Sequence, residues 1–348
     1  MRSHTQSKML QEPDRQAMRT IRGVLNALRR LLIKSTWVTA QKYNPLCLWS
    51  KGISQYCDFR GPDFYWREDT ESCQSESFFR RYYMGAGGLI WVRLGTLSRD
   101  GMPCDLDNFV RGALPAIRKP FALITTDGDA SVPSDITAAT VQALLDCPWL
   151  VSWYTQNYDG YPHAKIAPLP IGIDLHTPRL FSSPRRLVAD LQSIREHRLP
   201  PDQLPLRVFC DLEVNLASEQ RRRAIAALRN CDHVDFQRKR VSQNAIWRRY
   251  AEYPFVLSTA GYGLDCHRTW ELLYLGTIVI TKTSSLDPLF DGLPVVIVEN
   301  WNEVGDKRNL VKWLKKYGGL TDREAIWSLL EPSRFIGPIR EALEKSRN

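Results

Sequence analysis

No run of this chain is apolar for long enough to cross a bilayer. The opening stretch, MRSHTQSKMLQEPDRQ, is polar where a secretory signal needs an apolar core. The protein is therefore expected to be made and kept in the cytoplasm. Metal-ligand cysteine spacing is missing as well, since the eight cysteines, at 47, 57, 73, 104, 147, 210, 231 and 266, contain no CxxC pair. Scattered through a chain of this length they read as reduced, mostly buried thiols, with a Cys57–Cys73 disulfide as the alternative. There is no internal repeat and no low-complexity tract. The basic residues are spread rather than gathered in one stripe with interleaved aromatics, which ranks a nucleic-acid-binding module low.

What is present is ordinary globular material: 348 residues, 43% of them hydrophobic and eleven of them Trp. That is enough to bury a sizeable core and, by length, to form two domains. The net charge of +9 suits an anionic partner such as a phosphate, a nucleotide, an acidic sugar or a membrane surface. From Met18 to Lys34, apolar Met18, Ile21, Val24, Leu25, Leu28, Leu31 and Leu32 recur at helical spacing among Arg19, Arg22, Arg29, Arg30 and Lys34. Such a helix either packs on the core with a solvated basic face or lies peripherally on an anionic membrane.

Residues 43 to 83 are rich in aromatic and polar side chains without a clear period. Beyond them, buried strands are expected at 87–95, 120–126, 149–155 and within 164–174. A helix falls inside that series at SDITAATVQALLDC, capped by Ser134 or Asp135. A charged, Pro-rich connection follows from about 177 to 206, carrying a helix at 184–197. The alternation then restarts with a strand at 206–213, a helix capped by Ser218, a helix at 245–253, and strands at 254–259, 277–282 and 294–299. Strands alternating with helices predict parallel sheets covered on both faces. The expected organisation is an amphipathic helix (1–40), an N-terminal α/β domain (41–200), a C-terminal α/β domain (201–332) and a terminal helix (333–348).

The most informative segment is PFVLSTAGYGLDCHRTWELLYLGTIVITK, residues 254–282. A strand ending at Ser258 runs into a loop with Gly261 and Gly263 and then directly into a helix. Glycines there permit close approach of the backbone to a ligand. Helix-start amides attract phosphate, with Asp265 as a candidate cap that would consume some of them. On that helix His267 and Glu271 share a face, as do Arg268 and Glu271. Arg268 is placed to pair with a diphosphate, and Glu271, one turn deeper, to accept ribose hydroxyls. The plainer reading is an Arg268–Glu271 surface ion pair.

In this run, Ser258, Gly261, Gly263, Arg268, Glu271 and Gly276 stand where the C-terminal signature of exostosin-like glycosyltransferases has its Ser/Pro, glycines, Arg, Glu and Gly, and the segment resembles that family. Thr259-Ala260-Gly261 stands where the family often has Pro-x-Gly, and Ile278-Val279-Ile280 where it has Ile-Pro-Val. The resemblance implies a GT-B fold, two Rossmann-like domains facing across a cleft. It implies a nucleotide-sugar donor, often a UDP-sugar, held by the C-terminal domain (201–332), with the N-terminal domain (41–200) on the acceptor side. It further implies inverting transfer to a glycan or lipid-linked acceptor with no cofactor and no essential metal. Arg221 and Arg222 would then meet the donor diphosphate after the first strand of the second half, with Asn215 lining the same site. The alternative for Arg221, Arg222 and Arg223 is a solvated helix face.

Asp127-Gly128-Asp129 lies at a strand end of the first half, where open α/β sheets bind ligands. Three readings stand side by side. One carboxylate, Asp129 or Asp127, is the catalytic base; the pair is a DxD metal site of a GT-A enzyme; or the motif is a turn with Gly128 at positive φ. Asp174 is placed to reach the cleft, while His163 and His176 read as structural. A catalytically silent glycosyltransferase-like protein that binds a glycan or a partner shares the same sequence features.

Overall fold

The computed structural model describes residues 24, 28, 31, 47–67, 73–95, 104–177, 179, 182–212 and 218–346. Of the amphipathic segment, Val24, Leu28 and Leu31 are helical and more than half exposed; its other residues lie outside the described set.

Four strands form the first sheet, β1 (Gly88–Gly95), β2 (Phe121–Gly128), β3 (Leu150–Thr155) and β4 (Ile166–Pro168), in sequential order and all parallel. Their apolar runs are what a sheet covered on both faces requires. The segment without period folds into two short helices, α1 (Asp63–Arg67) and α2 (Glu76–Tyr83). Rings rather than a stripe of aliphatics hold them: Tyr65, Phe78 and Phe79 pack edge-on or tilted at 5.0–5.9 Å. The helix α3 (Asp105–Gly112) is tied to β1 by a fully buried pair, with Arg93 Nε donating to Asp105 Oδ2 at 2.9 Å. In α4 (Ala138–Leu145) the cap is Thr137, whose hydroxyl accepts from Thr140 N. The expected cap Asp135 instead accepts from Ser131 N at 2.8 Å, closing the preceding turn.

Helix α5 (Pro184–Glu196) leads to the second sheet, β5 (Val208–Cys210), β6 (Val234–Phe236), β7 (Phe255–Leu257), β8 (Ile278–Lys282) and β9 (Val295–Val298). The strand order is β6-β5-β7-β8-β9, again all parallel. The strand β6, three residues long, has no periodicity to betray it. Between the strands run α6 (Glu219–Leu228), capped by Ser218 as expected, α7 (Gln243–Ala251) and α8 (His267–Tyr274). The chain closes with α9 (Asn302–Gly305), α10 (Lys307–Tyr317), α11 (Arg323–Leu329) and α12 (Pro332–Lys345). Two parallel α/β sheets of Rossmann-like type are thus the architecture expected from the sequence. All eight cysteines are free, so the Cys57–Cys73 bridge is absent, with Cys57 buried and Cys73 exposed.

The period-two pattern of the second sheet divides its side chains between two cores. Val208, Cys210, Phe255, Leu257, Ile278 and Ile280 pack with α6 and α10. Phe209, Val256 and Val279 point the other way, into a larger cluster that also holds Trp91 and Ile124 of the first sheet, Trp270 and Tyr274 of α8, and Ile336, Ile339 and Leu343 of α12. The apolar core is therefore continuous between the two units. Helix α12 packs across β1, β2 and β3. Its Arg340 pairs with Asp58 at 3.3 Å and donates to the Tyr56 carbonyl.

Tyr274 sits where these parts meet. Its buried hydroxyl accepts from Leu48 N and donates to the Leu330 carbonyl, both at 2.8 Å. Tyr274→Phe leaves two buried backbone groups without a partner and is expected to cost about 2–4 kcal/mol. Urea unfolding measures it, and a loss under about 0.5 kcal/mol would show that water replaces the hydroxyl.

Candidate functional site

Open parallel sheets bind ligands at the carboxyl ends of the strands where the strand order reverses. The first sheet, in sequential order, has no reversal. The second reverses between β5 and β7, because β6 lies on one side of β5 and β7 on the other. Asp211 follows β5 directly, and the loop from Ser258 to Asp265 follows β7.

Two guanidinium groups converge at this switch point. Arg268, in the first turn of α8, donates from Nη2 to Asp211 Oδ2 at 3.1 Å and from Nε to the Tyr250 hydroxyl at 3.3 Å. Its Nη1 is buried and has no hydrogen-bond acceptor among the described residues. Arg221, in the first turn of α6, is 4% exposed and donates from Nε to the Ala260 carbonyl at 3.1 Å. Burial, and next the charge of Arg268, pull the Arg221 guanidinium below its ordinary range. Burial alone would lower Arg268 too, but Asp211 overrides it and holds Arg268 well above the usual arginine value. Asp211 is held through a single oxygen, since its Oδ1 has no donor among the described residues. The cap residue of α8, Cys266, makes no side-chain capping bond. Such a helix start, next to two buried guanidinium groups, is suited to an anion.

The loop residues are used differently from the expectation. The Ser258 hydroxyl is fully buried and bonded to that of Thr269 at 2.8 Å, pinning the loop to α8. Gly261 and Gly263 do permit close approach, but of protein groups. A Cβ on Gly261 would stand 3.0 Å from Arg221 Nη2, and one on Gly263 would stand 2.8 Å from the Asn157 amide. Asp265 does not cap α8 through the N2 or N3 amides. It crosses to the first unit, where Oδ2 accepts from Ile171 N at 2.7 Å, while Oδ1 accepts from Cys266 N at 2.8 Å and Trp270 Nε1 at 2.9 Å. Asn157, from the end of β3, completes the seam: its Oδ1 accepts from Asp265 N at 2.8 Å and its Nδ2 donates to the Gly128 carbonyl at 3.0 Å.

Glu271 is buried one turn below Arg268 but does not pair with it. Its Oε2 accepts from Trp247 Nε1 at 2.9 Å and Gln243 Nε2 at 3.0 Å, and burial raises its pKa. Oε1 accepts from none of the described residues. The Nδ1 of His267 bonds to the Gly172 carbonyl at 2.7 Å, again across the seam. Arg222 is on the exposed side of α6, and Arg223 pairs there with Glu219, so only Arg221 of the three turns inward. Asn215 lies outside the described residues.

In the first unit the two aspartates part company. Asp127 is buried, 3.4 Å from Lys51 Nζ, and carries the positive φ of 64° expected of Gly128. Gly128 is required for another reason: a Cβ there would lie 2.5 Å from the Gly95 carbonyl of β1. Asp129 is exposed at the same rim. A DxD pair turned toward one ion is therefore not what the chain builds, and Asp127 is closed to an acceptor. The residues that sequence reading missed are Asp211, Tyr250 and Asn157. Asp211 and Asn157 stand at strand ends, the one signal that marked them.

No family model matches the chain, and no curated protein matches it. Among solved structures, a UDP-forming α,α-trehalose-phosphate synthase from Burkholderia vietnamiensis is 10% identical over 75% of this chain and 75% of its own, with a TM-score of 0.38. A sucrose-phosphate synthase from Thermosynechococcus elongatus is 15% identical over 65% and 59%, with a TM-score of 0.30. A trehalose-6-phosphate structure from E. coli bound with UDP-2-fluoro glucose is 9% identical over 74% and 72%, with a TM-score of 0.33. These overlaps are too loose to carry residues across, and the fold assignment rests on the two sheet orders.

Burial raises the Asp265 carboxyl from its ordinary 3.8 to about 6. The folded state then binds more protons than the unfolded state between those values, so this group costs stability as pH rises through the window. Relative to Asp265→Asn, the wild type is expected to lose about 3 kcal/mol across it. Urea unfolding over that pH range measures the difference, and a constant difference between the two proteins would show that Asp265 ionises normally.

Proposed function

We propose that the chain is a glycosyltransferase that binds a nucleotide-sugar donor in its second unit. The observation that carries the reading is the convergence of two buried guanidinium groups, Arg221 and an Arg268 whose Nη1 has no acceptor among the described residues, at the switch point beside a helix start without a side-chain cap. Arg268 Nη1, Arg221 and the first amides of α8 hold the diphosphate, and Glu271 Oε1 accepts from the ribose. The resemblance of residues 254–282 to the exostosin-like signature selects a sugar nucleotide, a UDP-sugar, among diphosphate ligands.

In the transfer, an acceptor hydroxyl of a glycan or lipid-linked sugar attacks the anomeric carbon from the face opposite the diphosphate. The anomeric carbon–oxygen bond to the diphosphate breaks, its electron pair stays with the phosphate, and the configuration inverts. Arg268 and Arg221 stabilise the charge that develops there without reorganising. Asp129, the exposed carboxylate at the strand ends of the first unit, takes the proton. The reaction needs no cofactor in this reading. The protein works in the cytoplasm, where residues 18–34 bring it to a lipid-linked acceptor; no helix among the described residues is long and apolar enough to cross a membrane.

Thermal shift with UDP, GDP, CMP and their sugars tests the donor, since a ligand of the native state raises the melting temperature by mass action. Arg268→Lys keeps a charge beside Asp211 but removes the planar fork. It is expected to weaken nucleoside diphosphate binding at least about tenfold, or ~1.4 kcal/mol, while Arg222→Ala leaves it unchanged. No shift with any nucleotide at millimolar concentration would sink the donor site.

Asp129→Asn separates the enzyme from a silent fold. It is expected to lower turnover about 10²- to 10⁴-fold with donor affinity unchanged. Glycan binding by the wild type without any donor turnover would point to the silent protein instead.

A further inference from the structure

Beside the anion cradle the seam brings together a second set of groups that the transfer does not use. Asp174 and His176 follow β4 in the first unit, and His267 opens α8 in the second. Their ligand-type atoms all lie within 4.8 Å of one another. His176 Nδ1 stands 3.4 Å from Asp174 Oδ1, is buried, and has no hydrogen-bond partner among the described residues. The two imidazole rings are 5.1 Å apart.

Two of the three members, His267 and Asp174, are held as metal ligands are held. The His267 Nδ1–H donates to the Gly172 carbonyl, which leaves Nε2 as the lone-pair nitrogen and fixes the ring. Ligating carboxylates are themselves hydrogen-bonded, and Asp174 is. Its Oδ1 accepts from Thr177 N at 2.9 Å and its Oδ2 from Arg179 Nη2 at 2.8 Å. Arg179 opposes a second cation, but it occupies Oδ2 only, and Oδ1 keeps a lone pair on the side of His176.

We propose that Asp174, His176 and His267 bind one zinc-class divalent cation across the seam between the two units. Two imidazole nitrogens and one carboxylate oxygen form a borderline-soft set that suits zinc, cobalt or nickel, whereas magnesium demands oxygen ligands. With metal–ligand bonds of about 2.0–2.2 Å, tetrahedral ligand atoms stand about 3.3 Å apart. The widest pair here closes by roughly 1.5 Å, within the reach of side-chain rotation. Three protein ligands leave the fourth position for water or an anion. The cation site stands apart from the nucleotide reading, and either can hold without the other.

The full-length protein, stripped with a chelator, is titrated with Zn²⁺ and Mg²⁺ by calorimetry and with Co²⁺ by visible absorption. The expected result is one Zn²⁺ per chain, no Mg²⁺ binding, and a cobalt spectrum without a thiolate charge-transfer band. His176→Ala and Asp174→Asn should each weaken Zn²⁺ binding at least about tenfold, and His197→Ala, on an exposed helix end, should not. Circular dichroism of the metal-free variants shows that they fold; because Asp174→Asn keeps the shape of the side chain, it tests the site even if the alanine variant unfolds. Absence of stoichiometric Zn²⁺ binding, unchanged affinity in Asp174→Asn, or a cobalt–thiolate band placing the metal on cysteines would each overturn the proposal.

Discussion

Asp265 is a charged group in a place where charge is expensive, and the rest of the site is arranged around it. Its two oxygens gather an amide from the first unit, the amide that opens α8 and the indole of Trp270. Without those donors a carboxylate at that depth could not persist. With them, it sets the position of β4's following loop against the start of α8. The orientation of His267, the placing of Arg268 and the fit of Asn157 against Gly263 all inherit that registration. A neutral residue of the same shape would fill the space but would not gather three donors so strongly.

The second constraint is electrostatic. A parallel sheet with a reversal in strand order creates a crevice, and nothing about a crevice dictates what enters it. In this chain two guanidinium groups are drawn in toward that crevice. Arg221 is inward, close to the Asp211–Arg268 pair, and its two neighbours outward. The charge of Arg268 works against that of Arg221, because like charges at low dielectric repel steeply.

Much of the frame was legible in the sequence, because apolar runs bounded by glycine and short polar loops report buried parallel strands whatever surrounds them. Ser218 was legible as a cap for the same local reason. Partners far along the chain were not. The strand-end position of Asp211 showed in the sequence, but its pairing with Arg268 and Tyr250 depends on how α7 and α8 cross the sheet. Gly261 and Gly263 announced a close approach without saying of what, and the approaching groups proved to be Arg221 and Asn157. The pattern of Asp127-Gly128-Asp129 suggested two equivalent carboxylates. Lys51, from a stretch with no periodic signal, draws one of them inward. The helices α1 and α2 escaped notice because rings, which satisfy no heptad-like rule, hold them.

The uninterrupted apolar cluster running from the first sheet through α8 to α12 bears on how such a molecule can change over time. Were the halves separable, a new donor preference could arise by trading one half for another. In this chain the trade would leave a greasy face without its counterpart on both pieces. Variation in specificity is thereby confined to substitutions around the crevice, made one at a time on an inherited chassis.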